Sequence, residues 1–327
     1  MRYFLGLDGG GTKTEALILD ASGAERGRGF GGPGNIAHND DGTLARSVRE
    51  AVREACEAAA LDPQAARFAA VCAGAAGYSA EARRAPFLAI LRAEVPVEET
   101  AENLESAYRL EPDYAIAYWG ATEGEPGVVV IAGTGAVVYG RNAEGQTHRE
   151  DGLGYLLGDR GSGFNLGLRA LRYTLEQMRE GKRDALTDAV LDFTGARSQN
   201  EIVHWLYSGF SPARVAALAP VVGALAEGGD PAARDQVAEM AHRLRHSVWL
   251  TRHKLWLPRE TPIYPLGGLW QLGDFFLSEF TAPRWRGSKD TDRDKAGWLD
   301  ARFNLAAPKH DAVFGAALLA RSGSVCV

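Results

Sequence analysis

The chain has 327 residues, 46% of them apolar, which is enough to bury a sizeable core and suggests two domains rather than one small module. Its net charge of −6 gives no broad positive field for neutralising nucleic-acid phosphates, so DNA and RNA are poor partners. Cys56, Cys72 and Cys326 are odd in number, widely spaced and in no metal-ligand pattern, which fits a reducing cytoplasm.

The five apolar residues from Tyr3 to Leu7 are too few for a signal peptide core, and no run approaches the ~18 apolar residues of a membrane span. A cytoplasmic protein without a membrane partner is expected.

Residues 3–7 read as a strand, Asp8-Gly9-Gly10-Gly11-Thr12-Lys13-Thr14 as a turn, and 16–20 as a second strand. Apolar residues from Thr43 to Ala60 recur at helical spacing, with Thr43 as the N-cap and Asp62-Pro63 as the stop. A short strand over 68–72 runs into a flexible 73–77 segment, and 81–94 reads as helix. Residues 95–97 lead toward a strand near 108–110, followed by a helix over 114–121.

Residues 127–132 form a fully buried strand that meets Gly133-Thr134-Gly135 and continues through 136–140. This repeats the strand, Gly/Thr turn, strand layout of the N-terminus and implies two similar halves.

The chain then becomes helical, over 166–179, 183–193, 201–208, 212–227 and 231–256. A short strand over 263–266 ends in Gly267-Gly268-Leu269-Trp270-Gln271. The Trp-bearing stretch 282–299 is expected to be a loop, and an Ala/Leu-rich helix over 312–321 closes the chain.

Consecutive glycine amides in the Asp8 to Thr14 turn can point N–H groups at a phosphate, and Asp8 at the strand end can orient a magnesium ion through water. The turn is no Walker A loop, because Thr12 precedes Lys13 and a strand follows. A plain hairpin turn is the competing reading. Gly133-Thr134-Gly135 is weak alone and gains force from its pairing with the first turn.

Asp113 reads equally as a helix N-cap after Pro112 or as a reactive carboxylate. Asp159, in Gly158-Asp159-Arg160-Gly161, is either a ligand contact or a solvated turn residue. Gly29, Gly31 and Gly34 satisfy GxGxxG, but a dinucleotide site is rejected because no strand leads in and Pro33 interrupts. His242, His246 and His253 could hold zinc but read better as a solvated face without a carboxylate partner. Arg243, Arg245, Arg252 and Lys254 likewise read as exposed helix charge.

Together these segments resemble the N-acetylglucosamine kinase and BadF/BadG-type ATPase family of the actin/hexokinase superfamily. LGLDGGGTKTEALILD (5–20) is similar to that family's first phosphate loop, and PDYAIAYWGATEGEPGVVVIAGTG (112–135) to its catalytic aspartate, helix and second phosphate loop. GLGYLLGDRGSGFNLG (152–167) is similar to its sugar-contacting segment, and PLGGLWQ (265–271) to its adenosine-side turn.

The resemblance implies an α/β fold of two ribonuclease-H-like, actin-like ATPase domains with a ligand cleft between them. They would span 1–112 and 113–311, with a final helix in 312–327 packing back on the first. It implies an ATP- and Mg²⁺-dependent kinase acting on a primary hydroxyl of a hexose or amino sugar, N-acetylglucosamine first, with glucosamine, glucose or N-acetylmuramic acid as alternatives.

In that reading Asp113 is the catalytic base and Asp8 orients the metal. Gly10, Gly11, Thr12, Lys13, Gly133, Thr134, Gly135, Gly267, Gly268 and Gln271 bind the nucleotide. Asn35, Gly74, Asp113, Gly154 and Asp159 bind the sugar. Two departures stand out: the second turn reads GTGA, so Ala136 lacks a hydroxyl, and Leu153 stands where the eukaryotic enzymes carry tryptophan.

Rival readings are an iron–sulfur dehydratase activator, for which the thiols lack suitable spacing, and a zinc-bearing repressor-type sugar kinase with a DNA-binding motif that is missing here. A third is a sugar- or nucleotide-binding protein without catalysis. A homodimer through the helical half or the 282–299 stretch is a further expectation.

Overall fold

The computed structural model describes residues 2–98, 106–282 and 303–323. The chain forms two compact units, 1–125 with 308–327, and 126–307.

In the first unit a five-stranded sheet has the order β3-β2-β1-β4-β5. Its strands are β1 (Tyr3–Gly9), β2 (Thr14–Asp20), β3 (Glu25–Gly31), β4 (Ala70–Ala75) and β5 (Tyr108–Pro112). β1, β2 and β3 pair antiparallel, whereas β4 and β5 continue the sheet parallel to β1.

The apolar runs of β1 and β2 are continuous because both faces of the sheet are covered. Leu5, Leu7, Ala16 and Ile18 face α1 (Asp41–Ala58) and α2 (Arg84–Glu94), packing with Leu44, Val48 and Leu91. Leu17 and Leu19 on the opposite face meet Val313 and Ala317 of the last helix, α11 (Ala312–Ser322). Ile116 of α3 (Asp113–Thr122) packs with Cys72, Ala316 and Leu319 on that side. Helix α3 therefore belongs to the first unit, and the division falls after Glu125 rather than at 112/113 as the sequence reading places it.

Strand β3 does lead into the Gly29 to Gly34 segment, contrary to the sequence reading. Its glycines have a packing cause: methyl groups on Gly27, Gly29 and Gly31 would lie 2.2, 2.3 and 2.0 Å from the carbonyls of Ala55, Ala51 and Ser47 on α1. Alternate residues share one face of a strand, so the three glycines form a smooth track for the helix. No dinucleotide fingerprint is needed to explain them. The cap of α1 is Asp40, which accepts from the Thr43 amide at 2.9 Å, so Thr43 lies inside the helix. The 73–75 segment, expected to be flexible, is the end of β4.

The second unit repeats the pattern with strand order β8-β7-β6-β9: β6 (Gly127–Ala132), β7 (Ala136–Arg141), β8 (Thr147–Asp151) and β9 (Ile263–Leu266). β6 pairs antiparallel with β7 and parallel with β9, as β1 does with β2 and β4. Helices α4 (Gly163–Arg179), α5 (Ala185–Thr194), α6 (Gln199–Tyr207), α7 (Pro212–Ala216), α8 (Ala219–Glu227), α9 (Pro231–Lys254) and α10 (Asp274–Thr281) belong to this unit. The stretch read as one helix over 212–227 is two, and α10 and β8 were not anticipated.

Helix α9 corrects the charge reading. Arg245 and Arg252 are each only 2% exposed. Arg252 donates to the carbonyls of Arg259 and Thr261 at 2.7 and 2.6 Å, and Arg245 to that of Phe280 at 2.9 Å. Both guanidinium groups face the Phe303 ring, 4.4 and 5.4 Å from its centre. His242 does have a carboxylate partner, Glu279 at 3.3 Å, and His246 and His253 stack on Trp249. Among the described residues no cluster of three or more metal-ligating side chains exists, and no helix is long and apolar enough to cross a membrane. Most of the 282–299 stretch lies outside the described residues.

Candidate active site

In the first unit β1 ends at Asp8 and Gly9, and the chain reverses through Gly10 to Lys13 before β2. One hydrogen bond closes the turn, from the Gly10 amide to the Lys13 carbonyl at 2.9 Å. Among the described residues the amides of Gly11 and Thr12 have no hydrogen-bond partner, and both residues are exposed. Two adjacent free N–H groups suit an anionic oxygen.

Three further bonds stitch the neighbouring loops to this turn: Gly34 N to Gly10 O at 2.9 Å, Ala76 N to Gly9 O at 2.9 Å and Ile36 N to Ala76 O at 3.0 Å. They bring Asn35 to the end of β1 and β4. The Asn35 side-chain oxygen accepts from the Ala37 amide at 2.9 Å, which leaves its amide nitrogen as the group free to donate. Lys13 is exposed, ion-paired with Glu15 at 2.8 Å and positioned over the Phe30 ring.

Asp8 pairs with Gly74 across β1 and β4, and β5 beside them leads directly into α3, whose first residue is Asp113. The two carboxylates thus stand at the same edge of the sheet. Asp113 does not act as an N-cap: that position is Pro112, and the Asp113 side chain accepts from the Tyr114 amide at 2.8 Å. Burial pushes the Asp8 carboxyl up to about 7, helped by the Asp113 and Glu15 charges and opposed by Lys13. Desolvation by the surrounding protein raises Asp113 too, against the pull of backbone amides at the helix start. Two crowded carboxylates whose ionisation is disfavoured are a setting that a cation relieves.

Behind Asp8 lies an ion network absent from the sequence reading. Arg28 bonds Glu15, Glu25 and the α11 cap Asp311, the last at 2.7 Å. It ties β2, β3 and the last helix together at the site edge. Gly74 is accounted for by packing, since a methyl group there would lie 2.1 Å from Ile116 Cδ1.

In the second unit the turn between β6 and β7 is closed by Gly133 N to Gly135 O at 2.9 Å, and the amides of Thr134 and Gly135 have no partner among the described residues. Its carbonyls are occupied: Gly163 N bonds Gly133 O at 2.8 Å, and Phe164 N bonds Thr134 O at 3.3 Å. The α4 start, capped by Ser162, is therefore fastened to the back of the turn.

Asp159 is buried, with its carboxylate against Gly135, where a methyl group would lie 2.8 Å from Oδ2. Burial raises its carboxyl to about 6, with the amides of Ala136 and Gly154 pulling the other way and Asp151 adding to the rise. It is not the solvated turn residue of the alternative reading. Gly154 is exposed, in a loop that also presents Leu153, Leu156 and Leu157 at 57, 81 and 78% exposure. Gly267 lies at the end of β9 against the Ala132 carbonyl, and Gly268 and Gln271 are exposed beyond it.

Each unit thus offers a hairpin turn with two unbonded amides and a carboxylate whose ionisation is held back. The sequence profile of the BadF/BadG/BcrA/BcrD ATPase family matches residues 5–320. The chain belongs to that family. An N-acetylmuramic acid/N-acetylglucosamine kinase of Clostridium acetobutylicum is 28% identical over 327 residues, 98% of this chain and 99% of that protein. An N-acetyl-D-glucosamine kinase of Dictyostelium discoideum is 28% identical over 277 residues, covering 81% and 84%. A Chromobacterium violaceum crystal structure, described provisionally as an N-acetylglucosamine kinase, matches with a TM-score of 0.74 at 27% identity, covering 98% of this chain and 99% of that one. The two repeated sheets of this BadF-type ATPase are those of the actin-like ATPase and sugar-kinase fold.

Proposed function

We propose that the protein is an ATP-dependent amino sugar kinase, with the primary hydroxyl of N-acetylglucosamine as its first substrate and glucosamine, glucose and N-acetylmuramic acid as alternatives. The observation that carries this reading is the placing of Asp8 and Asp113 at one sheet edge beside a turn with free amides. The full-length similarity to amino sugar kinases supports it.

Asp113 orients the sugar hydroxyl and accepts its proton as the oxygen attacks the γ-phosphorus. The new O–P bond forms as the bond to the β,γ-bridging oxygen breaks, and ADP leaves. A raised pKa makes Asp113 a better proton acceptor once it is ionised. Because the transition state is loose, positioning and charge stabilisation carry most of the rate.

Gly10, Gly11 and Thr12, and Gly133, Thr134 and Gly135, hold phosphate oxygens, with Lys13 near the first set. Gly267, Gly268 and Gln271 face the adenosine. Asn35, Asp159 and the Gly154 backbone read the sugar hydroxyls. Asp8 is the residue that would hold a hydrated Mg²⁺. The ion would neutralise charge on the phosphates.

The test is ADP release over a panel of hexoses and amino sugars, with wild type and Asp113→Asn. Turnover should be highest with an amino sugar and fall roughly 10²-fold or more in the variant while nucleotide still binds. Near-normal turnover in Asp113→Asn rejects the base assignment, and ATP hydrolysis indifferent to every sugar rejects the kinase.

A further inference from the structure

Asp151, the last residue of β8, has φ +65°, in the left-handed region that non-glycine residues seldom enter. Such a conformation persists only where the surroundings enforce it. Here both carboxylate oxygens are engaged: Oδ1 accepts from the Asp159 amide at 2.6 Å and Oδ2 from the Arg160 amide at 2.9 Å. One side chain thereby closes the base of the loop 152–158.

Everything inside that closure bears on the proposed sugar contacts. Gly152 N bonds Ala136 O at 3.0 Å on one side of the loop. A tight turn bonds Leu157 N and Gly158 N to Gly154 O at 3.2 and 2.8 Å. On the far side Asp159 rests against Gly135, and its carbonyl accepts from Ser162 N at 3.0 Å. A methyl group on Gly158 would lie 2.3 Å from Asp151 Oδ1, so the loop is folded directly onto this carboxylate. The leucines at 153, 156 and 157 point outward and contribute little to holding the loop. Tyr155 is the loop's one apolar anchor, its ring 5.0 and 5.8 Å from those of Phe164 and Phe210, and the polar closure fixes the rest of the loop around it.

We propose that Asp151 is a positioning residue of the reaction: its two amide bonds set the 152–158 loop and the Asp159 carboxylate in the arrangement that receives the sugar. This rests on the kinase reading for the reaction and on the bonds alone for the closure. The Gly133 to Gly135 turn, which Asp159 also touches, keeps the support of the α4 start, so nucleotide contacts there should change far less than the sugar contacts.

Asp151→Gly removes the carboxylate at a position whose backbone suits glycine, so the fold is retained. Hydrogen exchange and steady-state kinetics are then measured on the same preparation of the full chain. The amides of Asp159 and Arg160 should exchange about 10-fold faster or more, while that of Gly163 is unchanged. The sugar KM should rise about 10-fold with the ATP KM held within about twofold. Asp151→Asn, which keeps one acceptor oxygen for the Asp159 amide, should recover most of the sugar KM.

Unchanged exchange at both amides overturns the closure. Faster exchange with an unaltered sugar KM, or with both KM values rising together, overturns the positioning role. If the wild type turns over no sugar, the kinase reading and the positioning role fall together, while the exchange data still decide the closure.

Discussion

Lowering the pH from 8 to 6 should weaken binding of a magnesium–nucleotide complex through one group, Asp8. With its carboxyl raised to about 7, the ionised fraction falls from about 0.9 to about 0.1 over that range. If only the carboxylate holds the hydrated cation, affinity drops about 10-fold. Binding at pH 7 should release about half a proton as the cation pulls Asp8 into its charged form. Titration calorimetry with a non-hydrolysable ATP analogue, in two buffers of different ionisation enthalpy, measures both quantities. Asp8→Asn should lose this pH dependence, and the difference between the wild-type and variant profiles subtracts the nucleotide's own titration.

Folding stability supplies an independent check on the same group. A carboxyl raised in the folded state stabilises the fold below its ordinary value of 3.8, and that contribution is lost as pH rises through about 7. Asp8→Asn should therefore melt above wild type at pH 8, with the gap closing toward pH 4. Asp113→Asn, which removes the second-largest cause of the rise, should move the wild-type profile to lower pH. Equal pH profiles for wild type and Asp8→Asn would refute the metal-orienting role, and a gap that widens at low pH would refute the raised ionisation.

Gly6→Ala would put a methyl group 2.4 Å from Ala317 N and 2.5 Å from Val313 O, pushing α11 off β1; unfolding in urea should show a loss of about 1–3 kcal/mol. Arg252→Met leaves the carbonyls of Arg259 and Thr261 without their donor, at a cost of about 2–4 kcal/mol by the same measurement. Arg252→Lys should recover little, because an ammonium does not reproduce the planar fork that spans two carbonyls.

The two hairpins were legible because their apolar runs stop abruptly at glycines, and their recurrence marked the repeated sheet. Strand β3 was not legible, since Gly27, Gly29 and Gly31 carry no side chains to show alternation and their cause lies in α1, a long-range contact. Strand β8, Thr147 to Asp151, is a polar edge strand with no apolar face to read. The buried arginines of α9 were misread by type: Arg245 and Arg252 are seven apart, on the stripe of Val237, Leu244 and Val248, and position was the better guide. Asp151 had only a weak signal, an Asp before Gly at a turn, because its partners come eight and nine residues later.

The repetition of one hairpin in both units makes their chemical difference informative. The turn at Gly10 to Lys13 has two carboxylates beside it, Asp8 and Asp113, each pushed toward protonation and each at a strand or helix end where it meets solvent. The turn at Gly133 to Gly135 has one, Asp159, buried and lying against Gly135. Free amides alone bind phosphate and leave its chemistry unchanged, so in the proposed reaction the first unit moves the proton and meets the cation. The second is equipped to hold geometry. Substitutions at Asp113 should accordingly appear in kcat and its pH dependence and those at Asp8 also in nucleotide affinity, whereas those around Asp151 and Asp159 should appear first in the sugar KM.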